Sequence, residues 1–191
     1  MTDWTTLRYA VADLEGNGQQ PPELVELAVV PIAGGAIQAT TTWLVKPERP
    51  ITHFASRIHG ITTPEVAGKP AFAVIANEVR KALDAPALVA HNAHADVAVL
   101  ERELDGWQAP EVFDTLKLAR RLLPDQPGYR LVRLVQALDL AEGLPGDLTP
   151  HRATYDALVT ARLFIHLAML AGSLEVLRGQ PPEKAGEDAL F

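Results

Sequence analysis

Three short stretches hold the residue types that hydrolytic chemistry needs. Asp13-Leu14-Glu15 places two carboxylates two residues apart. On an extended segment such residues point to the same side, and two carboxylates facing one point are costly unless a cation sits between them. His91-Asn92-Ala93-His94-Ala95-Asp96 follows the apolar run Leu88-Val89-Ala90. A buried strand there opens into a polar turn, and Asp96 falls in the first turn of the next helix. Taken alone, Asn92 and Asp96 are also ordinary helix-start residues. A rival reading pairs His91 with His94 on a metal, but no cysteine or third histidine lies nearby to complete the site. His151-Arg152-Ala153-Thr154-Tyr155-Asp156 opens the last apolar helix. Residues five apart do not stack on one helix face, so His151 belongs in the loop or first turn, pointing back toward the surroundings of Asp156.

Asp13, Glu15, Asp96, Asp156 and His151 thus come from three distant segments, each at the end of an element. Four carboxylates without any cysteine select hard cations such as Mg²⁺ or Mn²⁺. Hard cations on carboxylates, with one neutral base, suit hydrolysis of a phosphodiester by two metal ions.

The elements that must position these residues are readable in outline. Leu7 to Ala12 is an apolar strand ending at Asp13. Leu24 to Ile32 is a second, broken by Pro31. After the Gly34-Gly35 turn, Ile37 to Val45 is a third, which makes a hairpin with the second. Phe72, Ile75, Val79 and Leu83 then repeat with a helical period. Ala87 to Ala90 is a short buried strand, and Val97, Leu100 and Leu104 mark a helix. Val112-Phe113 precedes Asp114, with helices over Thr115 to Leu123, Arg130 to Asp139 and Arg152 to Ala171. Strands first, then strands alternating with helices, predict one mixed sheet with helices packed on it. Residues 1–172 form the folded domain. Residues 173–191, with Pro181-Pro182 and several charges, read as a loosely held tail.

A chain of 191 residues fits one domain. The absence of cysteine excludes disulfide frameworks, thiol catalysis and Cys-based zinc sites. No apolar run reaches the ~20 residues of a spanning helix, and Met1-Thr2-Asp3-Trp4 lacks the basic and apolar regions of a secretory signal. A cytoplasmic protein with no membrane partner is the expectation. The net charge of −7 argues against coating long duplex DNA, which takes many Lys and Arg contacts to phosphate. A few nucleotides gripped at a metal site remain compatible with it.

On these residues the chain resembles the DEDDh 3′-to-5′ exonucleases, the DnaQ-like group. That group includes proofreading subunits of bacterial DNA polymerase III, RNase T and oligoribonuclease. The family's Asp-x-Glu matches Asp13 and Glu15. Its Val-Ala-His-Asn-Ala stretch and following Asp match Val89 to Ala93 and Asp96. Its His-x₄-Asp matches His151 and Asp156. Val45-Lys46-Pro47, Ile58-His59-Gly60-Ile61-Thr62 and Asp114-Thr115-Leu116 agree as landmarks, and the likeness runs from Leu7 to Leu170. The landmarks are nearest to polymerase proofreading subunits and their free-standing relatives.

The resemblance implies an α/β, RNase H-like fold, a five-stranded mixed β-sheet flanked by α-helices. It implies that Asp13, Glu15 and Asp156 hold the metal that activates water. Asp13 would bridge to a second ion, Asp96 would help through a bound water, and His151 would act as base. Leu14, Gly16, Asn17, His59 and Asn92 are the implied substrate-binding residues. The implied substrate is a 3′ end of nucleic acid, single-stranded or frayed DNA or else RNA, and the implied product is a 5′-mononucleotide. Two departures stand out. Gly16-Asn17-Gly18 replaces the usual Thr-Thr-Gly, and Ala95 replaces the usual Phe before the second-motif Asp.

Other features read more plainly. Tyr9, Phe54 and Trp107 are read as buried aromatics before base-stacking residues. Arg120, Arg121, Arg130 and Arg133 are read as solvated helix positions before a strand path. Glu187 to Phe191 is similar to the short peptide by which bacterial replication proteins bind the sliding clamp, with Glu187 in place of the opening Gln. A tail folded back onto its own domain is the plainer account of Leu190 and Phe191. A binding module serving a polymerase with little turnover is the alternative function. The intact set of four acids and a histidine speaks against it.

Overall fold

A computed structural model describes residues 1–180. After a 3-10 turn at Trp4–Thr6, the chain runs β1 (Tyr9–Gly16), β2 (Leu24–Ala33), β3 (Ala36–Ile37), β4 (Thr41–Leu44), α1 (His53–His59), α2 (Thr63–Val66) and α3 (Phe72–Ala82). It continues with β5 (Ala87–Ala90), α4 (His94–Glu103), β6 (Glu111–Asp114), α5 (Thr115–Leu122), α6 (Leu131–Ala137), α7 (Ala153–Ala171) and α8 (Leu174–Leu177). The sheet order is β3-β2-β1-β5-β6, with β4 also paired to β2. β1 and β2 are antiparallel, while β5 lies parallel between β1 and β6. The sheet is mixed, as expected. Because β3 and β4 share the outer edge of β2, six strand segments fill five positions.

Side-chain alternation along β1 sorts two cores. Tyr9 and Val11 join the cluster under α5, α6, α7 and α8, and Ala10 and Ala12 join the cluster under α3 and α4. Helix α7 is long and apolar enough by composition to cross a membrane. Here it is the central core helix, with Val159, Ala161, Leu163, Phe164 and Leu167 buried.

Three expectations are corrected. Pro31 does not break β2. It falls between the β4 partners, which end at Val29, and the β3 partners, which begin at Ile32, so no ladder N–H is needed there. Its carbonyl still accepts from Gln38 N at 2.8 Å. The third strand is two segments, β3 and β4. The two-residue turn before β3 holds Gly34 and Gly35 at φ 59° and 75°, the left-handed conformations such hairpins require.

Residues 173–177 are not loosely held. Ser173 caps α8 by accepting from Val176 N, and Leu174 and Leu177 are buried against the α7 core. Leu174 N donates to Thr2 O at 2.9 Å, tying α8 to the first residues of the chain. Arg121 is exposed, as expected, and also donates to the carbonyls of Val176 and Leu177 at 2.7 Å each. The clamp-like Glu187 to Phe191 stretch lies outside the described residues.

Candidate active site

Asp13 and Glu15 share the parity of Tyr9 and Val11, so both face the α7 side of the sheet. β5 ends at Ala90 while β1, paired with it from Tyr9 to Val11, runs on to Gly16. The turn after β5 therefore emerges beside the acidic end of β1. This is the crevice beyond the carboxyl ends of parallel strands, where α/β sheets bind ligands. Asp96, 8% exposed, is in the first turn of α4.

The third motif arrives from the start of α7. His151 lies in the loop before the helix with φ 62°, and its main-chain N–H donates to Asp156 Oδ2 at 3.1 Å. Ligand atoms of Glu15, His151 and Asp156 all lie within 4.8 Å of one another. The first and third segments thus meet, and Asp96 of the second lies near enough to raise the Asp13 and Glu15 carboxyls.

Burial pushes the Asp13 carboxyl well above the usual range, and Asp96, Asp156, Glu15 and Glu26 add to the rise. Glu15 is pushed up to about 8, by burial first and then by Asp156, Glu26 and Asp96, against the pull of Arg152. Burial lifts Asp96 to about 7, opposed by main-chain hydrogen bonds at its own amide and at Leu14. Burial lifts Asp156 to about 6, opposed by His151. Such a cluster repels itself without a cation. Oxygen donors with one imidazole and no thiol fit a hard divalent ion, so the residues present fit a metal site.

The turn between β5 and α4 is locked from β6. Asp114 Oδ1 accepts from Asn92 N at 3.0 Å and from Leu116 N at 2.9 Å, capping α5 with the same oxygen. Asn92 takes a left-handed φ of 65° with its side chain exposed. The His91 ring nitrogens lie 2.9 Å from Thr115 Oγ1 and 3.0 Å from the Tyr129 carbonyl. Both nitrogens are occupied, so His91 braces the turn and the His91–His94 metal pair does not form.

Two of the expected substrate-binding side chains do other work. Asn17 is 0% exposed. Its Oδ1 accepts from Gln19 N at 3.1 Å and Glu23 N at 3.0 Å, while Nδ2 donates to Arg49 O at 3.4 Å. Asn17 therefore shapes the loop after Glu15, and substrate contact through its side chain is corrected. His59 is also buried. Its Nδ1 accepts from Ile61 N at 3.0 Å, which leaves the proton on Nε2 to be donated to Gly16 O at 3.3 Å. It ties α1 to the site strand. Gly18, φ 75°, packs so closely on the start of α1 that a Cβ there would clash with Thr52 Oγ1. Leu14 packs partly into the α3–α4 core, leaving its main chain and Gly16 at the end of β1.

Tyr9 is a core residue, its hydroxyl donating to Trp4 O at 2.7 Å, and Trp107 packs against the α3–α4 core. Phe54 overturns its expectation, being 75% exposed on α1.

Sequence reasoning missed Glu26. It is 2% exposed and pairs in register with Glu15 across β1 and β2. It accepts from Arg152 Nε at 3.0 Å, Arg152 Nη2 at 2.6 Å and Ala153 N at 2.9 Å. A Glu within an otherwise apolar strand, Leu24 to Val30, was the available signal.

The exonuclease family model matches residues 10–164. The 3′-5′ exonuclease DinG of Bacillus subtilis is 34% identical over 181 residues, covering 91% of this chain and 18% of that protein. The PolC-type DNA polymerase III of Thermotoga maritima is 32% identical over 183 residues, covering 92% of this chain and 13% of that protein. The chain thus spans less than a fifth of either relative's length. A solved structure of exonuclease X in complex with 5′ overhanging duplex DNA superposes with a TM-score of 0.72 at 31% identity, covering 88% of this chain and 99% of that one.

Proposed function

The chain belongs to the exonuclease family, in its DEDDh, DnaQ-like 3′-5′ branch, and from that premise we propose that it removes nucleotides one at a time from DNA 3′ ends, single-stranded or frayed, with two divalent ions. The observation that carries this is the convergence of Glu15, His151 and Asp156 within 4.8 Å at the acidic end of β1. The exonuclease X complex with overhanging duplex DNA supports DNA over RNA as the first substrate to test.

Asp13, Glu15 and Asp156 would hold one ion, Asp13 would share the second, and Asp96 would assist from α4. Mg²⁺ or Mn²⁺ held there would supply charge stabilisation at the phosphate and a more acidic water. The His151 imidazole accepts a proton from the water that attacks phosphorus. The bond from phosphorus to the 3′ oxygen of the penultimate nucleotide breaks, and the terminal nucleotide leaves with its 5′ phosphate. Asn92, with its exposed side chain, and the main chain of Leu14 and Gly16 would meet the strand's end. Exposed Phe54 offers a stacking face, worth about 1–3 kcal/mol per base where it is used.

A link to a polymerase is the partner reading, supported by the PolC-type relative. A sliding clamp would be the partner of Leu190 and Phe191. A cytoplasmic setting accords with the absence of cysteine. The test is digestion of matched single-stranded DNA and RNA with Mg²⁺, Mn²⁺ or EDTA. Faster release from RNA than from DNA would overturn the substrate assignment.

A further inference from the structure

We propose that Glu26 is a positioning residue for the catalytic centre, fixing the start of α7 through Arg152 and Ala153 and thereby setting His151 and Asp156 against Glu15. The role in turnover rests on the exonuclease reading; the clamp itself rests on geometry alone.

The first turn of a helix has main-chain N–H groups without partners inside the helix. The residue before α7 is Arg152, whose side chain has no acceptor, and no side-chain cap is made there. Glu26 supplies the missing acceptor from another element. Its Oε2 accepts from Ala153 N at 2.9 Å, and both its oxygens accept from the Arg152 guanidinium, at 3.0 and 2.6 Å. A carboxylate this buried is tolerated only when paired and hydrogen-bonded. The bidentate pair also fixes orientation in a way a single contact does not.

What the clamp holds is the residue on either side of it. His151, immediately before Arg152, sits at φ 62°, a left-handed conformation that a non-glycine residue keeps only when its surroundings over-determine it. Asp156 N donates to Arg152 O at 3.0 Å, so the helix carrying Asp156 starts from the clamped residue. Glu26 is also the cross-strand partner of Glu15. One side chain on β2 therefore sets the third motif in register with the first.

The test uses Glu26→Gln and Arg152→Lys in the full chain. Each variant is checked for fold by circular dichroism. Mn²⁺ affinity is read without substrate by electron paramagnetic resonance, and kcat and KM are measured on a 3′-labelled oligonucleotide. Both variants are expected to stay folded, to bind Mn²⁺ at least several-fold more weakly, and to lose at least tenfold in kcat with KM within about twofold. Raising Mn²⁺ should recover part of the loss. The double variant should be little worse than either single one, because both break the same clamp.

A folded Glu26→Gln with wild-type kcat and Mn²⁺ affinity overturns the proposal. So does a rise in KM alone, which would make the pair a substrate contact. If Glu26→Gln does not fold, Arg152→Lys decides by the same readings. If the wild-type protein releases no nucleotide at all, the exonuclease reading fails, and the Mn²⁺ comparison still decides the role of Glu26.

Discussion

The main-chain N–H of His151 donates to Oδ2 of Asp156 at 3.1 Å. The proposed base and a proposed metal-holding acid are thereby joined within one helix start, although five residues apart they share no helix face. The left-handed turn at His151 makes this possible. It folds the chain back so that the amide meets the carboxylate while the imidazole stays exposed.

Asp13→Asn should abolish nucleotide release while leaving the fold intact. Asp13 is the proposed shared ligand, so at least a hundredfold loss is expected, about 2.7 kcal/mol of barrier. Removing one charge from a self-repelling cluster should also raise the melting temperature of the metal-free protein at pH 8. Release assays and thermal melts with EDTA check both.

The metal-free protein should lose stability as pH rises. Glu15, Asp96 and Asp156 are pushed up to about 8, about 7 and about 6 in the folded chain, above the ~4 of unfolded carboxyls. The folded state then holds more protons than the unfolded state between these values. The stabilisation is full below about pH 4 and is lost as pH climbs through about 6 to 8. Mn²⁺ should restore stability at pH 8 and release protons on binding. Melts from pH 5 to 8.5, with Mn²⁺ and with EDTA, should diverge progressively; parallel curves would contradict the clustering of these acids.

His151→Ala should lower kcat by about 10²- to 10⁴-fold, the usual contribution of a positioned base. KM should change little. A variant retaining half the wild-type kcat would assign the proton to another group.

Asn17→Ala should destabilise the protein by about 1–3 kcal/mol, because the main-chain N–H groups of Gln19 and Glu23 lose their acceptor. Urea unfolding measures it. Unchanged stability would contradict the loop-shaping role of these hydrogen bonds.

The sequence disclosed most where local pattern and chemistry coincide. Asp13, Glu15, Asp96, His151 and Asp156 sit at the ends of strongly apolar or periodic elements, and strand parity alone sent Asp13 and Glu15 to one side. Helix α1 was not legible, since only Ala55 and His59 of its seven residues are buried, so it has no apolar stripe to read. Its exposed Phe54 misled for the same reason. Pro31 misled because its harmlessness depends on a gap between two partner strands that no local signal reveals. The roles of Asn17, Glu26 and Asp114 are long-range hydrogen bonds, fixed only when separate segments meet.

The central claim is a metal-dependent, 3′-directed hydrolysis at the acid cluster. Single-stranded DNA labelled at its 5′ end, incubated with the wild-type protein and with Asp156→Ala, tests it most directly. With Mn²⁺ the wild-type protein should give a ladder shortening one nucleotide at a time with 5′-mononucleotide release, and EDTA or Asp156→Ala should leave the full-length strand. Immediate release of the 5′ label as a mononucleotide, or undiminished cleavage in EDTA or by Asp156→Ala, would contradict it.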